Sequence, residues 1–257
     1  MTERTIKTSL GVLAGTWVLL FLMSSPDSLA GPKEDYEEGV RHLQAEDFDA
    51  AIASFGKVNA VNANIAQVHN LLGIAYLEKK GAVGNAVHEL EEAIRLDPSL
   101  ADAYNNLAIV YSGHILDLEL AEEYFKKAIE KNPSFGRAYF GLGWLYMTKK
   151  QDIEGAMPFL EKAVEFSPEH MEAHYFLGIG YIAMGDRHKA LRPISVLRTT
   201  GRNDLAQTLE AMIEQDSTTV RQKVSEQLQE QQQTSSEGGA GAHVETLDSG
   251  KSPVPWL

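Results

Sequence analysis

Two histidines, His170 and His174, stand four residues apart. On a helix that spacing places both imidazoles on one face, where they suit a metal ion. The residues between them are Met171, Glu172 and Ala173. The hydrolytic zinc pattern needs its glutamate directly after the first histidine, so Glu172 comes one place too late. His170 also follows Pro168 at an expected helix start, where capping the backbone is the plainer role. Gly250, Lys251 and Ser252 end like a phosphate-cradling loop, but Glu245 stands where its first glycine is required. The chain has no cysteine. That removes thiolate nucleophiles, disulfides and cysteine-zinc sites. Carboxylates are many, yet they alternate with lysine on solvated helix faces, as in Glu122, Glu123, Lys126 and Lys127. The residues therefore point to no catalytic activity, no metal and no cofactor.

What recurs instead is packing chemistry. Tyr76, Tyr111, Tyr146 and Tyr181 keep one interval, and so do Gly73, Ala108, Gly143 and Gly178. Ala86, Ala121 and Ala156 repeat with the same period, followed by Ala93, Ala128 and Ala163 and then by Pro98, Pro133 and Pro168. A period of this length is the mark of a stacked-repeat protein. The small residues let a second helix approach closely, and Leu90, Phe125 and Leu160 are the large knobs between the alanines. Each proline cannot continue the second helix and sets the turn into the next unit. Each unit reads as a helical hairpin whose open apolar edge is covered by its neighbour.

With LLGIAY, LAIVY, LGWLY and LGIGY followed by alanine, a large apolar residue, alanine and proline, the chain resembles the tetratricopeptide repeat family across about residues 33–201. The resemblance implies an all-α fold: a right-handed superhelical solenoid of about five hairpins with a C-terminal capping helix. Three copies carry one residue more than the family's usual length, expected in the turn between the two helices. The first copy is weaker, with His42 for the tyrosine and Ala63 for the proline, and the last has Pro193 inside its second helix. The expected organisation is a signal peptide or uncleaved anchor at 1–30 and repeats at 31–201. A capping helix with a Gln-rich extension follows at 202–233, and a disordered tail at 234–257.

In such a repeat the first helices line an inner face. The positions three before and one after the small residue point inward. They give Tyr36, Asn70, Asn105, Phe140 and Tyr175, with Val40, Ile74, Ile109, Trp144 and Ile179. The strip is apolar and aromatic, with two asparagines able to donate to and accept from an extended peptide backbone. Phe140 and Trp144 share a helix face and could clasp a large apolar side chain, with Gly141 leaving room. The family implies a protein or peptide partner in that groove. Its carboxylate-clamping subgroup is not matched, because Asp102 stands where a lysine would sit.

A net charge of -13 opposes nucleic acid as a partner. Arg4 and Lys7, the apolar run 10–23 and Ser28-Leu29-Ala30 have the layout of a cleaved export signal. The uncharged stretch 8–25 is the alternative, a membrane anchor. The expected role is an exported scaffold or adaptor in a bacterial periplasm or cell envelope, binding a partner during assembly of an envelope complex. The alternative is a structural spacer whose stiff apolar end, Pro253, Val254, Pro255, Trp256 and Leu257, does the docking.

Overall fold

A computed structural model describes residues 30–79, 81–214 and 226. The signal or anchor, the Gln-rich extension and the tail with its apolar end lie outside the described residues. Among those described, every regular element is helical, which is the expected all-α helical-repeat architecture. No described helix is long and apolar enough to cross a membrane.

The chain forms two compact units that divide after Val110. The first holds α1 (Ala30–Gln44), α2 (Phe48–Val61), α3 (Ala66–Glu78), α4 (Val83–Leu96) and α5 (Ala101–Val110). Its core joins Tyr36, Phe55, Val58, Val68 and Leu72. The second holds a π-turn (Tyr111–Ile115), α6 (Leu118–Lys131), α7 (Gly136–Trp144) with a π-turn at its end (Leu145–Lys149), α8 (Ile153–Phe166), α9 (Met171–Ala183), α10 (Arg187–Thr199) and α11 (Asn203–Glu214). Its core includes Phe140, Met147, Leu160, Leu177, Ile194 and Leu209.

The recurring glycines have the expected job. A Cβ at Gly39 would lie 2.6 Å from the Phe55 ring, at Gly73 2.6 Å from Leu90, and at Gly143 2.7 Å from Leu160. These pairs join the two helices of one hairpin. Gly178 breaks the series, because its nearest neighbour is Leu209 of α11, at 2.5 Å. The last helix therefore seats Leu209 on α9, with Ala206 and Leu209 fully buried.

Four of the five described hairpin turns end the same way. A residue in the left-handed region comes first: Glu46, Leu116, Gln151 or Gly185. An aspartate follows and accepts from the backbone N–H three residues on: Asp47 from Ala50, Asp117 from Leu120, Asp152 from Gly155 and Asp186 from Lys189. That is an N-cap, worth about 1 kcal/mol over alanine. The turn after α3 has Gly81 in the left-handed position and Ala82 as a cap without a side-chain bond.

The extra residue is placed differently from expectation in two of the three longer copies. Asp47 and Asp186 donate to the carbonyls of His42 and Tyr181, five residues back. Asp117 and Asp152 donate to Tyr111 and Tyr146, six residues back. The inserted residue has widened the end of the first helix into a π-turn, which accepts one residue without shifting the core positions on either side. Between hairpins, Asn62, Asp97 and Asn132 accept from the N–H two residues on, folding the chain over into the next first helix.

Pro158 lies inside α8 as Pro193 does inside α10. On the surface of the second unit, Glu122 accepts from the Tyr146 hydroxyl at 2.9 Å, from Lys126 and from Lys150. Burial alone would raise this carboxyl, but the three hydrogen bonds outweigh it and hold the pKa down at about 2.

Two substitutions test these devices. Gly143→Ala should lower stability, because overpacking at about 1–3 kcal/mol exceeds the gain in helix propensity, about 1 kcal/mol. Thermal unfolding reads it, and an unchanged midpoint would mean that Leu160 moves aside freely. Leu116→Gly should raise stability by up to about 1 kcal/mol, because it relieves a left-handed leucine that is 44% exposed and has little burial to lose. A lower urea midpoint would contradict that.

Candidate functional site

In the first unit, α3 and α5 bring the two inward asparagines together through a third. Asn106 donates to Asn70 Oδ1 at 2.9 Å, and Asn105 Nδ2 lies 3.5 Å from Asn106 Oδ1. Asn70 and Asn105 are only 2% and 3% exposed. The relay ends on Asn105 Oδ1, a buried acceptor with no hydrogen-bond partner. Leaving such a group unpaired costs about 1–3 kcal/mol. Ile74 and Ile109, on the same two helices, are buried beside this polar line. Tyr36 belongs to the core of the first hairpin. Its ring meets Phe55 edge-on at 6.0 Å, and burial pushes its hydroxyl up to about 12.

In the second unit the aromatic strip is more closed than the sequence suggests. Phe140 is fully buried, with its ring 4.5 Å from His170 and 5.9 Å from Phe176. The room that Gly141 leaves is taken by the Phe125 ring, 2.2 Å from where a Cβ would stand. The expected open pair of Phe140 and Trp144 is thus corrected. Phe140 is part of the core, and Trp144 presents a half-buried ring with Lys149 Nζ 5.4 Å from its centre. Tyr175 is half-buried and meets Phe176 edge-on at 5.8 Å, and Ile179 is buried.

The two histidines that could have shared a metal take separate structural jobs. His170 is the N-cap of α9, and its Nδ1 accepts from Ala173 N at 3.3 Å. His174 Nε2 bonds the Pro168 carbonyl at 2.9 Å. Burial lowers both, which favours neutral rings. Among the described residues no group of three or more His, Asp or Glu could hold a metal ion.

A row of side chains that sequence reasoning passed over emerges here. His69, Tyr104 and His174 each bond the carbonyl six residues earlier: Ala63, Pro98 and Pro168. They brace the turn between hairpins onto the first helix. Tyr139 fills the same place with its ring tilted against that of Phe166 at 5.4 Å. The signal was present in the sequence, as a histidine or tyrosine at constant spacing ahead of each small residue.

His69 does more than brace. Its Nδ1 lies 2.7 Å from Glu89 Oε2 and its Nε2 3.0 Å from the Ala63 carbonyl. Both neighbours are acceptors, so both bonds form only when the ring carries two protons. The hydrogen bond to Glu89 raises the pKa against the lowering effect of burial, and the Ala63 carbonyl adds to the rise.

Family models of the tetratricopeptide repeat match residues 79–114 and 116–170, so these segments are similar to tetratricopeptide repeats. No curated protein matches the chain. Among solved structures, the thermophilic TPR protein TTC0263 of Thermus thermophilus aligns with a TM-score of 0.59 at 19% identity, over 72% of this chain and 100% of that one. MamA from Desulfovibrio magneticus RS-1, from residue 41 to its end, gives 0.52 at 22% identity, over 67% and 96%. A further MamA structure gives 0.50 at 24% identity, over 65% and 95%. Likeness at these identities is likeness of fold.

The raised His69 pKa fixes the sign of a pH effect. Its stabilisation is fully present below the unfolded value, about 6.5, and is lost as pH rises through the folded value. The stability gap between the native chain and His69→Gln should therefore be wider at about pH 5.5 than at about pH 8.5. Urea unfolding at the two pH values measures it, and equal gaps would refute the doubly protonated ring.

Proposed function

We propose that this chain, built on tetratricopeptide repeats, is a non-catalytic scaffold that captures an extended segment of a partner protein along the inner faces of its first helices. The observation that carries the reading is the asparagine relay. Asn70, Asn106 and Asn105 run across two neighbouring first helices and end on a buried acceptor with no partner. A backbone N–H delivered there removes a standing penalty, and the flanking isoleucines suit an uncharged side chain. Ile74 and Ile109 are the apolar contacts of the proposal in the first unit. In the second unit, taken by itself, Trp144, Tyr175 and Ile179 offer apolar contacts, and Phe140 supports them from that unit's core. No residue in this arrangement is asked to do chemistry. The layout of the first 30 residues supports export, which would make the setting a bacterial cell envelope and the task the assembly of an envelope complex.

The test uses the full chain in its native envelope, with a photoreactive residue at Trp144 or Ile74 and a control at the outward Lys127. A discrete crosslinked band from the inner positions alone is expected. Asn105→Ala should weaken it about ten-fold or more. It removes the unpaired acceptor but also the long 3.5 Å bond to Asn106, so stability should fall by no more than about 1–2 kcal/mol. Capture that survives Asn105→Ala but disappears when residues 234–257 are deleted would make the repeats a spacer and the tail the docking element.

A further inference from the structure

The last hairpin reverses the charge of the molecule. Against a net charge of -13, α10 carries Arg187, Lys189, Arg192 and Arg198 with His188, and no acidic residue. All five side chains are exposed. Lys189 is held locally by Asp186 at 3.1 Å, and Arg198 by Glu210 at 2.6 Å. Amid the basic residues Leu191 is 56% exposed, and Met184 just before the helix is 48% exposed. An apolar centre with a charged rim is the anatomy of a protein docking patch.

The chemistry narrows the partner. A basic amphipathic helix binds a bilayer by burying its apolar face. The apolar face of α10 is already spent, because Ala190, Pro193, Ile194 and Leu197 are buried in the unit's own core. The net charge of the whole chain opposes anionic lipid and nucleic acid alike. A folded acidic surface remains, and the chain carries one. Seven acidic side chains fall within residues 34–49. Lys57, Lys33 and Lys79 pair with Asp35, Glu37 and Asp49, and Glu34, Glu38, Glu46 and Asp47 remain with no lysine or arginine at hand among the described ion pairs. Glu34, Glu37, Glu46 and Asp49 are exposed. Next to them α2 presents small residues: Ala53, Gly56 and Ala60 follow Asp49 at helical spacing and are exposed, with Lys57 beside them drawn to Asp35 at 3.1 Å, and a Cβ at Gly56 would meet nothing within 4 Å.

We propose that α10 of one copy docks on the α1–α2 hairpin of a second copy, with Leu191 against the Ala53–Gly56–Ala60 floor and the arginines against the acidic rim. The two patches differ, so the association is head-to-tail and leaves one of each free at the ends. Charge steers the encounter, and salt weakens it.

Sedimentation velocity on the full chain tests this at about 50 mM and about 500 mM salt. Reversible association is expected at low salt, weakened about ten-fold or more at high salt. Arg192→Glu should weaken it comparably, as should the triple variant Glu34→Lys, Glu37→Lys, Glu46→Lys, and combining the two sets should restore it. Gly56→Leu, which fills the floor without a clash in its own copy, should also weaken it. All these positions are exposed, and an unchanged thermal midpoint confirms each fold. A monomer under every condition, or association indifferent to Arg192→Glu, would overturn the proposal. Monomers that bind anionic phosphatidylglycerol vesicles through Arg192 would reassign the patch to a lipid surface. Neither result bears on Asn105, so the groove reading stands or falls separately.

Discussion

Two helices come no closer than the atoms between them allow, and three of the hairpins here depend on removing one atom. Where Gly39, Gly73 and Gly143 lack a Cβ, Phe55, Leu90 and Leu160 occupy the space, each nearly or fully withdrawn from water. A fully buried leucine or phenylalanine contributes about 1.5–3 kcal/mol relative to exposure. Glycine inside a helix costs about 1 kcal/mol relative to alanine. The burial outweighs the backbone cost, and it also fixes the register of one helix on the other. Once that register is set, the alanines at 86, 93, 121, 128, 156 and 163 are fully buried.

Fixed register explains why the turns can vary. The left-handed residue and the aspartate cap define where a second helix begins, and the tyrosine carbonyl defines where the first ends. One extra residue between these landmarks has to go somewhere that moves neither core. A π-turn adds it at the very end of the first helix, after the small residue and the knob have met. Leu116 and Gln151 then stand in the left-handed region without being glycine. That strain is tolerated because the packing on both sides over-determines the turn.

Polar groups taken inside serve two ends. The bonds from His69, Tyr104 and His174 satisfy carbonyls of the turns between hairpins, at Ala63, Pro98 and Pro168. Glu122 and its three donors form a closed network of the same kind. The asparagine line is different, since Asn105 Oδ1, like Asn59 Oδ1 and Glu78 Oε1 elsewhere, is buried without a partner. A satisfied network only holds structure, whereas one with an acceptor left over is ready for a donor from elsewhere. This contrast, within a single fold, is what separates the candidate site from the braces around it.

The repeat spacing settled a good deal by itself. Constant intervals of glycine, alanine, tyrosine and proline identified the hairpins, the close helix crossings and the proline turns, because each depends on residues near in sequence. The capping role of His170 was legible for the same reason: a cap acts on N–H groups two or three residues away. Tertiary structure decided everything that depends on which neighbour arrives. It carried Phe140 into the core beside Phe176 and filled the gap at Gly141 with Phe125. It sent Leu209, from outside the repeats, to the glycine of the last hairpin. It put Asn106, not a predicted site residue, between Asn70 and Asn105. Sequence spacing fixes the face of a helix on which a side chain stands. Whether that face meets water, a partner or another ring is fixed only when the helices pack, because packing allots the same space once.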